Sequence, residues 1–384
     1  MAEVTSGDTA SADEIATFRE QTKRLIAKEF APHLTRWLSE GKVDRAAWRK
    51  AGEAGLLGAS MPVEYGGAGG DFRHEAVIAE ELAKAGLIDF AIPLHNAIIV
   101  PYVLRYGSED QKRRWMPKLT SGALVSAICM TEPGTGSDLQ AVKTTAKRDG
   151  NHYVISGQKT FISNGQNADF IIVVAKTDPA KGAKGVSLIV VETGEADGFR
   201  RGRNLEKIGQ KASDTSELFF DDVRVPTSNL LGTEEGQGFR QLMEQLPQER
   251  LLIAVQSLAL MEYALGETVR YVKDRKAFGQ TLMEFQNTRF RLAECATKTR
   301  IARSFVDDCT RLLLEAKLDA ATASMAKMWV SEACGEVADA CLQLHGGYGY
   351  MAEYPIARIW TDARVARIYG GTNEIMRELI ARSL

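Results

Sequence analysis

Apolar positions in the first third of the chain recur every three or four residues. Phe18, Leu25, Ile26 and Phe30 share one helical face, and Val77, Ile78, Leu82 and Leu104 continue the period, so residues 11 to about 122 read as helices punctuated by glycine and proline. From about Leu124 the period changes. "LVSAICM", "AVKTTAKR", "HYVISGQKTFIS", "DFIIVVAK", "VSLIVVE" and "ELFFDDVRVP" are short runs rich in β-branched and aromatic residues, separated by Gly, Asn and Asp. Such runs predict an antiparallel sheet or small barrel, and their close spacing leaves no room for crossover helices, which excludes a Rossmann domain. After "GTEEGQGF" the helical period returns, and residues 239–272, 284–316, 319–344 and 352–384 each predict one long helix, which together suggest a bundle. The expected architecture is α+β and multidomain: an N-terminal helical domain (1–124), a middle antiparallel β-barrel-like domain (125–236) and a C-terminal four-helix bundle (237–384).

Composition adds exclusions. The 384 residues are 45% hydrophobic and 26% charged, enough for real cores in two or three domains. A formal net charge of -2, with no dense Lys/Arg block, supplies no field for nucleic acid. Cys129, Cys295, Cys309, Cys334 and Cys341 are scattered without metal-type spacing, which points to buried reduced thiols and to neither disulfide nor zinc. His345, inside "LHGGYGY", reads as a packed turn residue rather than a metal ligand. The opening "MAEVTSGDTASADE" has neither a signal-peptide core nor the Arg-rich face of a transit peptide. No apolar run approaches membrane-spanning length. The expectation is a soluble protein with no membrane span, cytoplasmic, or of the mitochondrial matrix if the source is eukaryotic.

Several stretches carry candidate chemistry, each beside a plainer structural reading. "MTEPGTGSD" (130–138) strings small residues whose backbone N–H groups can converge on a pyrophosphate, with Thr131 and Ser137 as further donors, or it is a simple turn. "KTFISNG" (159–165) sets Phe161 and Ser163 two apart on one strand face, suited to a planar ring or to ordinary packing. "DRKAFGQ" (274–280) pairs Arg275 with Phe278, suited to a diphosphate and an adenine or to a solvated helix end. In "EQLPQERLLIAVQ" (244–256), Pro247 either starts a helix or kinks one, and an inward Glu249 would have its pKa raised by burial and become a proton acceptor. Finally, "RIYGGTNEIMREL" (367–379) places Gly370 and Gly371 after Tyr369. This is either a helix end followed by a new cap at Thr372 or Asn373, or a place where a reactive side chain is missing.

In this order and at these intervals, "MTEPGTGSD", "NGQKTFISNG", "RKAFG" with the following "FQ", "LHGGYGYMAEYP" and "YGGTNEI" resemble the acyl-CoA dehydrogenase family over nearly the whole chain. The resemblance implies one FAD per subunit, a fatty acyl-CoA substrate, a homotetramer built from dimers and an electron-transfer flavoprotein as acceptor. It also implies roles for particular residues. Met130 and Thr131 would contact the isoalloxazine, Ser137 would lie near the pyrophosphate and the substrate, and Phe161 and Ser163, where usual members have Trp and Thr, would line the flavin. Arg275, Phe278, Gln286, Gln343 and Gly347 would reach the FAD of the neighbouring subunit. Thr372 and Glu374 would flank the flavin of the chain's own site, with Tyr369 and Arg250 on the substrate side.

Many members carry the catalytic glutamate directly after the tyrosine, where this chain has Gly370. A branch that includes long-chain and isovaleryl-CoA dehydrogenases supplies it from the first bundle helix, at the position of Glu249. "LPQERLLIA" with "YGGTNEIMRELIAR" is most similar to the long-chain type. The implied reaction is α,β-dehydrogenation of an acyl-CoA thioester to a trans-2-enoyl-CoA. Glu249 would take the proton from carbon 2, the hydride from carbon 3 would pass to flavin N5, and the Gly370 N–H would bond the thioester oxygen. Glu249 is expected to occupy the space that Gly370 leaves, and Arg250 to orient or neutralise nearby groups. Two rivals stand beside this reading: a base-lacking, flavin-carrying subunit of a hetero-oligomer, and a flavin oxidase or monooxygenase on the same fold.

Overall fold

The computed structural model describes residues 10–384; most of the opening segment weighed above for targeting signals lies outside the described residues. Ser11 caps α1 (Ala12–Leu25) by accepting from the Glu14 N–H while Glu14 reaches back to the Ser11 N–H. α2 (Leu34–Glu40), α3 (Arg45–Glu53) and α4 (Phe72–Lys84) follow, sharing a core that includes Trp37, Trp48 and Phe90. The helical turns Ile92–Leu94 and His95–Ile99 run into α5 (Val100–Tyr106), and α6 (Glu109–Thr120) completes the helical region.

Seven strands come next: β1 (Ser126–Cys129), β2 (Thr145–Asp149), β3 (His152–Ser163), β4 (Phe170–Lys176), β5 (Val186–Glu192), β6 (Phe199–Asn204) and β7 (Thr215–Pro226). β4 and β5 are apolar on both faces because each face is covered: Phe170, Ile172, Val174 and Leu188 pack toward α5 and α6, while Ile171, Val173 and Ile189 join the core on the sheet's other side. The expected antiparallel barrel is corrected in two respects. The sheet is open, and β1 runs parallel to β4. β5 takes the whole of one edge of β4, so β1 and β2 share the other edge end to end, with Cys129 opposite Val173 and Thr145 opposite Lys176. Residues 130–144 are therefore a loop extruded from what is otherwise one interrupted strand. Alternation along a strand shows its two faces but not its partner, which is why the sequence did not disclose this pairing. β6, "FRRGRN", lacks apolar alternation and gives no strand signal; it pairs with β7 at the sheet edge, where charge discourages further pairing.

One buried ion pair ties the extruded loop to the sheet. Lys159, with no exposed surface, donates to Glu132 Oε1 at 2.9 Å, the Met130 carbonyl at 3.1 Å and the Val174 carbonyl at 2.7 Å. Glu132 also accepts from the N–H groups of Lys143 and Thr144, at 2.6 and 2.9 Å, so both ends of the loop meet on one carboxylate. Despite its burial, the Lys159 charge and these N–H groups hold that carboxyl below its ordinary range.

The C-terminal region contains α7 (Gly238–Asp274), α8 (Gln286–Leu314) and α9 (Ala320–His345). α7 passes through Pro247 without breaking. By length and composition α7 could cross a membrane, contrary to the expectation that no run approaches that length, with mean hydropathy 1.2 over its most apolar window. Its apolar residues, Leu251, Leu252, Val255 and Leu258 among them, are instead buried in the bundle core. The predicted fourth helix is broken. α10 (Pro355–Ala363) and a turn at Arg364–Arg367 lead to Tyr369, after which Gly370 and Gly371 take φ of +65° and +89° before α11 (Asn373–Ala381). Two successive left-handed residues cannot continue a right-handed helix. The period looks unbroken in sequence because both pieces pack against the same neighbour, α9.

Lys159→Met would leave Glu132 ionised and buried without its cation. It is expected to lower stability by ~3 kcal/mol, and adding Glu132→Gln should recover part of that loss. Urea unfolding of the single and double variants checks both statements.

Candidate active site

A largely apolar cavity of about 230 Å³ lies where the three regions meet. Ile88, Leu94 and Ile98 come from the N-terminal helices, Met130, Thr131, Phe161, Ser163 and Gln210 from the sheet and its loops, Leu246, Glu249, Leu252 and Ile253 from α7, and Tyr369 and Gly370 from the break before α11. Among the titratable side chains in this lining, Glu249 is the one with its charge turned into apolar surroundings. It is 5% exposed, and Tyr102 of α5 donates its hydroxyl to Oε1 at 2.8 Å. Burial pushes the Glu249 carboxyl up to about 7, while the Tyr102 hydrogen bond and the neighbouring Arg250 charge act in the opposite direction. A carboxyl that exchanges its proton near neutrality and borders a cavity is suited to general-base work.

Gly370 supplies the other half of the arrangement. A Cβ built on it would stand 2.3 Å from Ile253 Cδ1. Ile253 is one helical turn after Glu249 on α7. Ile253 occupies the space beside the Gly370 Cα, and Glu249 borders the same cavity as Gly370 one turn earlier on α7. Among the described residues no protein group accepts from the Gly370 N–H. Lys327 braces the turn from behind, donating to the Gly371 carbonyl at 2.7 Å and Asn373 Oδ1 at 2.8 Å. Thr372 caps α11 through the Ile375 N–H. The glycine pair thus both ends one helix before another begins and keeps a side chain out of the cavity.

Arg250 is not among the residues that line the cavity. Consecutive helical residues point roughly 100° apart, so with Glu249 facing the cavity Arg250 faces the bundle. There its NH1 donates to Ser324 Oγ at 3.2 Å, and among the described residues its Nε has no partner. Lys327 is close enough for burial and then the Arg250 charge to push its ammonium down to about 8.

Met130, Thr131, Phe161 and Ser163 come together on the cavity wall, but not by simple alternation. The register of β3 against β7 slips between Lys159 and Ile162, and Phe161 within that bulge has φ of +59° and 66% of its surface exposed. A bulge re-aims a side chain, here an apolar ring left uncovered beside a cavity. Ser137 is exposed on the extruded loop. A Cβ added to Gly134 or Gly136 would touch nothing within 4 Å, and among the described residues the N–H groups of Gly134, Gly136 and Ser137 have no protein acceptor. Packing therefore does not require those glycines. Free donors on an open loop and an uncovered aromatic ring fit a flavin dinucleotide with its pyrophosphate on the loop.

The remaining sequence candidates stand apart from the cavity. Arg275, Gln343 and Gly347 line a separate open depression with Tyr271 and Tyr348. Phe278 is 96% exposed on a small hairpin, at φ of +51°. Gln286 is exposed at the start of α8, and Glu374 is exposed in the first turn of α11. His345 is a packed residue: it stacks on Tyr271 at 4.3 Å and its Nδ1 lies 2.9 Å from the Cys341 carbonyl. All five cysteines are buried free thiols.

Sequence reasoning missed Tyr102, Ile253 and Gln210. The Gln210 N–H donates to Asp362 Oδ1 at 2.5 Å, and nearby the Ala212 N–H donates to Asp89 Oδ2 at 2.7 Å. Burial and then the Asp89 charge push Asp362 up to about 7. The available signal was a lone acid inside the apolar segment "GLIDFAIP"; Asp362, between arginines in "RIWTDARV", gave none. Tyr102 had a similar one, a tyrosine amid "IIVPYVL".

Comparison with known proteins agrees with this geometry. Three family profiles match in succession: acyl-CoA dehydrogenase, N-terminal domain, over residues 12–123; the middle domain over 127–223; and the C-terminal domain over 236–384. The chain is 50% identical over 369 residues to the mitochondrial long-chain specific acyl-CoA dehydrogenase of Sus scrofa, covering 96% of this chain and 85% of the relative. It is 37% identical over 376 residues to an NADH-dependent acryloyl-CoA reductase of Anaerotignum propionicum, covering 96% and 95%. The crystal structure of an acyl-CoA dehydrogenase from Geobacillus kaustophilus superposes with a TM-score of 0.95 at 48% identity, over 97% of this chain and 98% of that one. The chain belongs to the acyl-CoA dehydrogenase family of flavoprotein oxidoreductases.

Proposed function

We propose that this protein dehydrogenates a fatty acyl-CoA thioester to the trans-2-enoyl-CoA, with FAD as cofactor and Glu249 as the base. The observation that carries the reading is the Glu249 carboxyl, buried at the cavity wall with its proton affinity raised to about 7. Met130, Thr131, Phe161 and Ser163 would hold the flavin ring, and the loop around Ser137 its pyrophosphate; Thr372 and Glu374, outside the cavity lining, are assigned to the flavin's edge by family resemblance. Bound there, FAD supplies the two-electron acceptor.

The chain's own residues do the rest. Glu249 removes the proton at carbon 2 of the thioester. The Gly370 N–H, which has no protein acceptor among the described residues, donates to the thioester oxygen as negative charge develops on it. Ile88, Leu94, Ile98, Leu246 and Leu252 offer an apolar wall that excludes water and accepts an alkyl chain. Similarity to the porcine enzyme supports a long chain. A base-lacking subunit is disfavoured by the presence of a carboxyl in the cavity. Arg275, Phe278, Gln286, Gln343 and Gly347, remote from this cavity, are assigned to the FAD of a neighbouring subunit in a homotetramer, with an electron-transfer flavoprotein as the acceptor.

Glu249→Gln should keep its flavin yet slow anaerobic bleaching by palmitoyl-CoA by about 10³-fold or more; bleaching at the unaltered rate with flavin retained would end the assignment. A base must be ionised to act, so kcat/KM for palmitoyl-CoA should rise with pH through a midpoint near about 7 and level off above it. Gly370→Ala should destabilise the protein through both the Ile253 contact and the left-handed φ. Combining it with Ile253→Ala should relieve the contact and leave a conformational penalty of ~1 kcal/mol, measurable by thermal unfolding of the three variants.

A further inference from the structure

We infer that Tyr102 is the positioning residue of the base: its phenol fixes one carboxylate oxygen of Glu249 so that the other is left for the cavity. The inference rests on the reading of Glu249 as base. A glutamate at a cavity wall has three side-chain torsions, and a base that must meet one C–H bond cannot wander among them. Tyr102 removes that freedom. Its ring is fully buried in the core between α5, α6 and the sheet, and its hydroxyl donates to Oε1 at 2.8 Å. Among the described residues no donor reaches Oε2, while Glu249 itself borders the cavity.

The neighbouring polar groups are otherwise engaged. Tyr106, on the next turn of α5, donates to Glu244 at 2.8 Å. Arg250 turns to Ser324. Tyr102 is thus the partner left for Glu249, and it comes from a different domain. Burial and then the Glu249 charge raise the Tyr102 phenol well above its ordinary value, so it remains a donor throughout the working range. A donor of this kind binds the carboxylate more strongly than the carboxylic acid, and so sets where the base titrates as well as where it stands.

Tyr102→Phe in the holoenzyme removes one oxygen from a packed ring. With palmitoyl-CoA, the acid limb of its kcat/KM profile should move upward by about one pH unit, with roughly tenfold loss below the midpoint and a smaller loss above it. Infrared difference spectra of the substrate-free holoenzyme, taken against Glu249→Gln, should show the carboxyl titration displaced in the same direction. Should Tyr102→Phe fail to retain flavin, 3-fluorotyrosine at position 102, a stronger donor, should move both readouts downward. An equal rate loss at every pH with an undisplaced carboxyl titration would make Tyr102 a packing residue and overturn the inference. Bleaching at the unaltered rate by Glu249→Gln would instead sink the base assignment, and the infrared titration would still show whether Tyr102 governs the Glu249 proton.

Discussion

The organising constraint is the burial of a carboxyl group among leucine and isoleucine side chains. Water stabilises a carboxylate far better than hydrocarbon does, so a glutamate in that setting binds its proton more tightly unless something replaces the lost hydration. At Glu249 the replacement is partial: one phenol at 2.8 Å and the neighbouring guanidinium charge of Arg250, against nearly complete loss of solvent. The result is a group neither locked in its acid form nor left as an inert anion. The surrounding fold serves that balance. α7 remains continuous through Pro247, the cavity wall stays apolar, and the compensating hydroxyl arrives from the N-terminal helices rather than from α7 itself.

The same constraint explains why two glycines follow Tyr369. The turn before α11 approaches α7 so closely that Ile253 occupies the position a side chain at 370 would need. A left-handed φ makes glycine the low-cost residue there, and the close approach makes it a steric requirement as well. Ile253 and Glu249 lie on one face of α7, a turn apart, so the contact that excludes a side chain from position 370 also fixes the height of the carboxyl relative to the turn. Lys327 holds the far side of that turn through the Gly371 carbonyl and Asn373. The Glu249 carboxyl and the Gly370 N–H are therefore referenced to each other through a single helix and a braced turn.

The fold was legible to the extent that local pattern encodes it. The long helices α7, α8 and α9 and six of the seven strands follow from periodicity, since each buries a face whose spacing is visible in the sequence. What escaped was decided by tertiary pairing. β6 is an edge strand of arginines without an apolar face, β1 lies parallel to β4 because β5 already occupies the other edge, and α10 and α11 share a period across a break. The site divides in the same way. Glu249 could be singled out because a charged residue beside Pro247 in an apolar helix is locally conspicuous, and family resemblance supplied its role. Tyr102, Gln210 and Ile253 matter through partners 147, 152 and 117 positions away in the chain, which local pattern does not disclose.

Beyond the cavity, the residues that intrachain packing does not explain share one character. Phe161 leaves two thirds of its ring uncovered while held at positive φ, Phe278 does the same with almost all of its surface, and Gly134 and Gly136 surround open space. Each combination carries a cost in the isolated chain: exposed apolar area, a backbone conformation that non-glycine residues seldom adopt, or glycine flexibility with no tight contact to demand it. Costs of this kind are expected to concentrate at sites that serve function rather than packing. Phe161 borders the cavity with Glu249, the glycines lie on the extruded loop, and Phe278 is on the remote hairpin. That separation is what a chain would show if it contributed to two flavin sites, closing most of one with its sheet and bundle and offering an aromatic edge to another.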